Sequence, residues 1–127
     1  MRVLVVDDSR TMRKIIVSIL KRLRLAEVEE ASNGQEALER VESFKPELLL
    51  IDWWMPVMDG MQFLRAFRRR GYDTPVMMIT TEAKRRSVLE AARIGVDDYV
   101  VKPFTPDALL ERIRGTLQRN DLQVEPA

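Results

Sequence analysis

Leu48-Leu49-Leu50-Ile51-Asp52 is the stretch from which the fold can be read. Four apolar residues in a row lack the polar alternation of a half-exposed strand and are too few for a helix. They predict a central strand buried on both faces, with the carboxylate of Asp52 delivered at its end. The same unit recurs in both directions along the chain. Residues 3–6 (Val-Leu-Val-Val) run into Asp7-Asp8. Residues 75–79 (Pro-Val-Met-Met-Ile) run into Thr80-Thr81, with proline at the first position, where a strand tolerates it. Residues 99–101 (Tyr-Val-Val) run into Lys102. Residues 26–31 are more polar and predict an edge strand ending at Ala31-Ser32.

Helical periodicity fills the gaps. Met12, Ile15, Ile16, Ile19, Leu20 and Leu23 recur at i, i+3, i+4 spacing after a capping Ser9. Asn33 followed by Glu36 predicts the start of a second helix through Leu38 and Val41, which Pro46 ends. Asp59-Gly60 closes a loop that begins at Trp53, and Phe63, Leu64 and Phe67 carry the third helix up to Gly71. A fourth helix is expected over residues 83–94 with Gly95 as its C-cap, and a fifth after Thr105-Pro106. Five strand–helix units with continuously apolar strands mean an α/β fold, a doubly wound parallel sheet with helices on both faces. Such a sheet binds ligands at the carboxyl ends of its strands.

Composition narrows the chemistry. The 127 residues contain no cysteine and no histidine, so thiolate and imidazole chemistry are excluded, and a metal must sit among oxygens. With 21 basic and 20 acidic residues, the net charge of +1 does not mark a nucleic-acid binder. No apolar run is long enough for a signal peptide or a membrane span, so a soluble cytoplasmic protein is expected. What remains is gathered at one edge of the sheet: Asp7, Asp8 and Asp52, the hydroxyl of Thr80 and the ammonium of Lys102. Like charges so placed demand a cation, and Mg²⁺ suits a few carboxylates with waters or phosphate oxygens. Acid cluster, lysine and hydroxyl together read as a phosphoryl site. Singly, each has a plainer reading: Asp-Asp as a helix start, Thr80 as a cap, Lys102-Pro103 as a solvated loop. Asp97-Asp98 precedes its strand and reads as a surface turn at the opposite edge.

The segments Val5-Val6-Asp7-Asp8-Ser9, Leu50-Ile51-Asp52-Trp53, Met55-Pro56, Met58-Asp59-Gly60, Ile79-Thr80-Thr81-Glu82-Ala83 and Asp98-Tyr99-Val100-Val101-Lys102-Pro103-Phe104 resemble the receiver domain of two-component response regulators, most of all the stand-alone chemotaxis type. The likeness runs over residues 1–119, leaving 120–127 as a flexible tail or linker remnant. It implies the flavodoxin-like (βα)5 sheet with strand order 2-1-3-4-5, a family property and not a result of periodicity. It implies Asp52 as phosphoacceptor and Mg²⁺ held by Asp7, Asp8, Asp52 and the backbone carbonyl of Trp54. Lys102 pairs with the phosphoryl oxygens, Thr80 and Tyr99 form the switch, and the Lys102–Pro103 peptide is cis. Trp54 and Glu82 stand at positions that tune hydrolysis. Trp54 departs from the small polar residue common there, and its indole is expected to shield the site from water.

The implied partners are a histidine kinase or phosphotransfer protein as donor, and a protein target on the face made by the fourth helix, fifth strand and fifth helix. Lys84, Arg85 and Tyr99 belong to that face, and the run Lys84-Arg85-Arg86 suits an acidic partner. No nucleic acid or membrane is expected, and the state is monomer or phosphorylation-dependent dimer. The chain is a switch and not an enzyme acting on a separate substrate. The rivals are weaker. A haloacid-dehalogenase-type phosphatase wants an aspartate where Trp54 stands, and a dinucleotide site wants glycines after the first strand. A receiver belonging to a larger regulator, or a pseudo-receiver that is never phosphorylated, are the remaining alternatives.

Overall fold

The computed structural model describes residues 1–23 and 26–122. Strands and helices alternate as β1 (Arg2–Val6), α1 (Arg10–Leu20), β2 (Glu27–Ala31), α2 (Gly34–Phe44), β3 (Leu48–Ile51), α3 (Gly60–Arg69), β4 (Val76–Thr80), α4 (Arg85–Ile94), β5 (Asp98–Val101) and α5 (Pro106–Arg119). The sheet is parallel throughout, in the order β2-β1-β3-β4-β5. The polar strand β2 lies at an edge and the fully buried β3 in the centre, as their compositions require.

Strand parity sorts the core into two layers. Val3, Val5, Leu48, Leu50, Met77 and Ile79 face α1 and α5, where Ile16, Ile19, Leu20, Leu109, Ile113 and Leu117 cover them. Leu4, Val6, Leu49, Ile51, Val76 and Met78 face the other way, onto α2 and α3, through Leu38, Val41, Phe63, Leu64 and Phe67. From β1 the chain steps to β2 on one side and then crosses to β3 on the other. The carboxyl ends of β1 and β3 therefore flank the point where winding reverses, the crevice where such sheets bind ligands.

Four helices start under a side-chain cap. Ser9, Asn33, Asp59 and Thr105 accept from the N–H groups of Met12, Glu36, Gln62 and Ala108. The reciprocal capping box forms at Asp59–Gln62. At Asn33 the backbone bond forms as expected, but the Glu36 carboxylate turns to Ser32 and Arg40 instead. The fourth helix begins at Arg85, two residues later than its periodicity predicts. The N–H groups of Glu82 and Lys84 are taken by the Thr80 hydroxyl (3.2 Å) and the Glu82 carboxylate (3.2 Å), so these residues form a turn before the helix. Lys84 stands at the N-cap with no side-chain bond.

At the far end of α4, Arg68 fixes the chain firmly. Its guanidinium donates to the carbonyls of Tyr72 (3.0 Å), Thr74 (2.7 Å) and Gly95 (2.6 Å). The pair Asp97-Asp98, read as a surface turn, does more than that. Asp97 accepts from Val76 N–H (2.8 Å) at the start of β4. Asp98 receives the Arg112 fork, with Nε at 2.8 Å, and so ties α5 to β5. Past α5, Asp121 takes left-handed backbone (φ 56°) and Leu122 N–H returns to Leu117 O (2.8 Å), while residues 123–127 of the expected tail lie outside the described residues.

Burial resists charge on Asp98, but Arg112, the Tyr99 N–H and Arg119 outweigh it and hold its carboxyl below the ordinary value of 3.8. A depressed carboxylate contributes stability above its ordinary pKa and loses it as pH falls through the folded value. In urea denaturation, Asp98→Asn is therefore expected to cost about 1–3 kcal/mol at pH 7. The difference from the parent should shrink as the pH drops below 3.8.

Candidate functional site

Parallel register brings the predicted residues together. Val6 pairs with Ile51, and Asp52 N–H donates to Val6 O (3.0 Å), so Asp7 and Asp52 each stand one residue beyond the same rung. Thr80 pairs with Val101, and Lys102 N–H donates to Thr80 O (2.8 Å), which sets Lys102 over the same edge. The Lys102–Pro103 peptide is cis.

Lys102 Nζ lies 2.9 Å from Asp7 Oδ2 and 3.2 Å from Asp52 Oδ2. Asp7 is buried, and its other oxygen accepts from Ser9 N–H (2.9 Å). Asp8 is exposed. Oxygens of Asp7, Asp8 and Asp52 lie within 4.8 Å of one another. Asp52 Oδ1 is buried and has no hydrogen-bond partner among the described residues. Three carboxylates thus face one ammonium. Burial pushes the Asp7 carboxyl above its ordinary value, against the pull of Lys102 and of Ser9 N–H. Burial also opposes charge on Lys102, yet Asp7 and Asp52 raise its pKa nonetheless. The Lys102 shift marks the negative charge gathered around it, and the Asp7 shift marks its burial. A hard dication fits this donor set, which is all oxygen and gathers three carboxylates beside one ammonium.

Glu82 is the meeting point of the remaining predicted residues. Its N–H donates to the hydroxyl of the buried Thr80, and its carbonyl accepts from Tyr99 OH (2.7 Å). Its carboxylate accepts from the Trp54 indole N–H (3.2 Å). Trp54 is exposed, while Trp53 beside it is buried in the core. The Tyr99 hydroxyl is pushed up to about 12, first by burial and then by the charges of Glu82 and Asp52. Lys84, Arg85 and Arg86 are exposed at the start of α4, where Lys84 N–H donates to the Glu82 carboxylate.

Two residues next to the site escape sequence reasoning. Arg13, in the first turn of α1, donates through Nη1 to Asp7 O (2.7 Å) and through Nε to Glu30 Oε1 (3.0 Å). An arginine among other basic residues of an amphipathic helix carries no signal of its own. Only its place six residues after Asp7, in the first turn of α1, could have hinted at it.

The chain matches the family model described as the response regulator receiver domain over residues 3–114. It is 45% identical over 121 residues to the chemotaxis protein CheY of Pseudomonas aeruginosa, covering 94% of this chain and 98% of that protein. It is 43% identical over 124 residues to the chemotaxis protein CheY1 of Helicobacter pylori, covering 95% and 100%. Among solved structures, the Vibrio cholerae chemotaxis protein CheY4 superposes with a TM-score of 0.85 at 36% identity, covering 91% of this chain and 98% of that one.

The loop after Asp52 is held by a close approach that only glycine permits. Gly60 N–H donates to Trp53 O (2.7 Å), and a Cβ at Gly60 would overlap the Asp52 carbonyl oxygen and lie 3.0 Å from Trp53 Cα. Gly60→Ala should therefore destabilise by about 1–3 kcal/mol through overpacking. In α5, Gly115 meets only the flexible tip of Arg119, and Gly115→Ala should stabilise by about 0.5–1 kcal/mol. Urea denaturation of the two variants checks the opposite signs.

Proposed function

This chain belongs to the response regulator receiver domain family, as a receiver of the CheY type, and from that footing we propose that Asp52 is its phosphoacceptor. Receiver domains are signalling switches that generally bind Mg²⁺ at an acidic pocket and interact with histidine kinases and downstream targets. The observation that carries the proposal is the asymmetry of Asp52. Lys102 holds Oδ2, while Oδ1 is buried without a donor. One oxygen is oriented and the other is left to attack.

The donor is a phosphohistidine on a kinase or phosphotransfer partner. Asp52 Oδ1 attacks phosphorus, the phosphorus–nitrogen bond breaks, and the imidazole leaves with its electron pair. The product is an acyl phosphate, and in-line attack by water on phosphorus returns the carboxylate and inorganic phosphate. Asp7, Asp8, Asp52 and the Trp54 carbonyl would hold Mg²⁺, which supplies charge neutralisation between carboxylate and phosphoryl oxygens. Lys102 neutralises the remaining charge, and the geometry supplies positioning.

Readout passes through Glu82. A phosphoryl group draws the Thr80 hydroxyl towards itself and away from the Glu82 N–H, whose own carbonyl holds Tyr99. Tyr99 then settles differently on the α4–β5–α5 face, shifting an existing two-state equilibrium. Lys84, Arg85 and Arg86 suit an acidic protein target there. The relatives' names support chemotaxis as the process, with the cytoplasm as its setting.

Two experiments test this reading. Parent protein given Mg²⁺ and a small phosphodonor should acquire an acid-stable, base-labile phosphoryl group, and Asp52→Asn should acquire none. An unlabelled parent, the behaviour of a pseudo-receiver, or equal labelling of the variant would overturn the proposal. Trp54, tethered to Glu82, is expected to limit water at the acyl phosphate. Trp54→Asn should then lose phosphate severalfold faster in a phosphate-release assay, and a rate equal to or below the parent's would remove Trp54 from that role.

A further inference from the structure

The peptide plane between Asp7 and Asp8 sets both acidic side chains at once. It contains the carbonyl of Asp7 and the N–H of Asp8. Its orientation fixes ψ of Asp7 and φ of Asp8, and with them the directions in which the two side chains leave the backbone. Asp7 is held in several further ways. Its N–H donates to Ala31 O (3.1 Å), and its carboxylate is bound by Lys102 and Ser9 N–H. Asp8 is exposed, so the backbone is what aims it. The carbonyl that orients this plane is bound by Arg13 Nη1 at 2.7 Å.

Arg13 is itself held in place. Its Nε donates to Glu30 Oε1 on β2 at 3.0 Å, and its side chain is only 16% exposed. Lys14 binds the other oxygen of Glu30 at 2.7 Å, and among the described residues no hydrogen bond or ion pair joins it to Asp7. A guanidinium serves two acceptors in fixed geometry, which an ammonium does not. Lys14 and Arg13 thus share one carboxylate, yet only Arg13 reaches the acidic turn.

We propose that Arg13, anchored by Glu30, is a positioning residue for the cation site, holding the Asp7–Asp8 peptide in the orientation that presents both carboxylates. It touches neither the cation nor the phosphoryl group, and acts through the backbone of their ligands. The inference rests on the reading of Asp7, Asp8 and Asp52 as a Mg²⁺ site. Its signature is a loss of Mg²⁺ affinity out of proportion to any loss of stability. Partners of metal ligands typically matter by about 10–100-fold in affinity.

The test is a Mg²⁺ titration of the full chain followed by tryptophan fluorescence, with thermal denaturation of each variant alongside. Arg13→Met keeps the packing of the aliphatic stem and removes both bonds. Its Mg²⁺ affinity is expected to fall about tenfold or more. Lys14→Met removes the other cation from Glu30 and should leave Mg²⁺ affinity within about twofold of the parent, since it reaches no metal-facing group. A merely structural tie between α1 and β2 would move both variants alike, and equal shifts would overturn the proposal. So would an Arg13→Met protein that binds Mg²⁺ like the parent. If Arg13→Met does not fold, Glu30→Met, which removes the acceptor that anchors Arg13, carries the same test, with weakened Mg²⁺ binding expected and parental binding refuting. A parent with no Mg²⁺ response would overturn the site reading together with this inference, whereas a parental response that survives in Arg13→Met overturns the inference alone.

Discussion

Lys102 bridges Asp7 and Asp52, and the site is organised around that one ammonium. Two carboxylates brought to the ends of adjacent buried strands repel each other and lose solvation. The fold keeps them there because the hydrophobic ladder of β1 and β3 fixes their height, and because β5 delivers a cation from across β4. The crossing order of the strands is thus an electrostatic device as well as a packing solution. It brings residues 7, 52 and 102 to one place although they are remote in sequence.

The strands and their end residues were legible because their signal is composition over a short window. Leu48–Ile51 could be little else than a buried strand, and an ionisable residue directly after such a run has few places to go. Helix starts at Ser9, Asn33, Asp59 and Thr105 were legible because capping chemistry is local. The start of α4 was not, since Thr80 and Glu82 take up N–H groups that an isolated helix would have left for its own first turn. The glutamate expected to complete the cap at Asn33 found Ser32 and Arg40 instead, a choice made by the neighbouring strand and helix. Arg13 and Glu30 were invisible for the same reason, because an ion pair between α1 and β2 exists only once the sheet is assembled. The strand order came from resemblance and not from pattern.

Glu82 shows how one residue comes to hold several neighbours. Its N–H, carbonyl and carboxylate each hold a different neighbour: Thr80, Tyr99, and Trp54 together with Lys84. Backbone groups are the stiffest part of a chain, so displacement of one of these bonds is felt by the others. The side chain adds the Trp54 indole to the same junction, joining the loop after β3 to the start of α4.

The bonds and contacts of Arg68 have a mechanical consequence. It ties the last turn of α3, the approach to β4 and the carbonyl of Gly95 into one block, and it stacks over Phe67. The opposite end of α4 starts at an uncapped lysine next to Glu82. The two ends of the helix are therefore held unequally: by the Arg68 side chain at the edge of the sheet away from the acidic cluster, and without a side-chain cap at the edge beside it. Any rearrangement at Glu82 would enter the helix at its uncapped end, opposite the Arg68 tie.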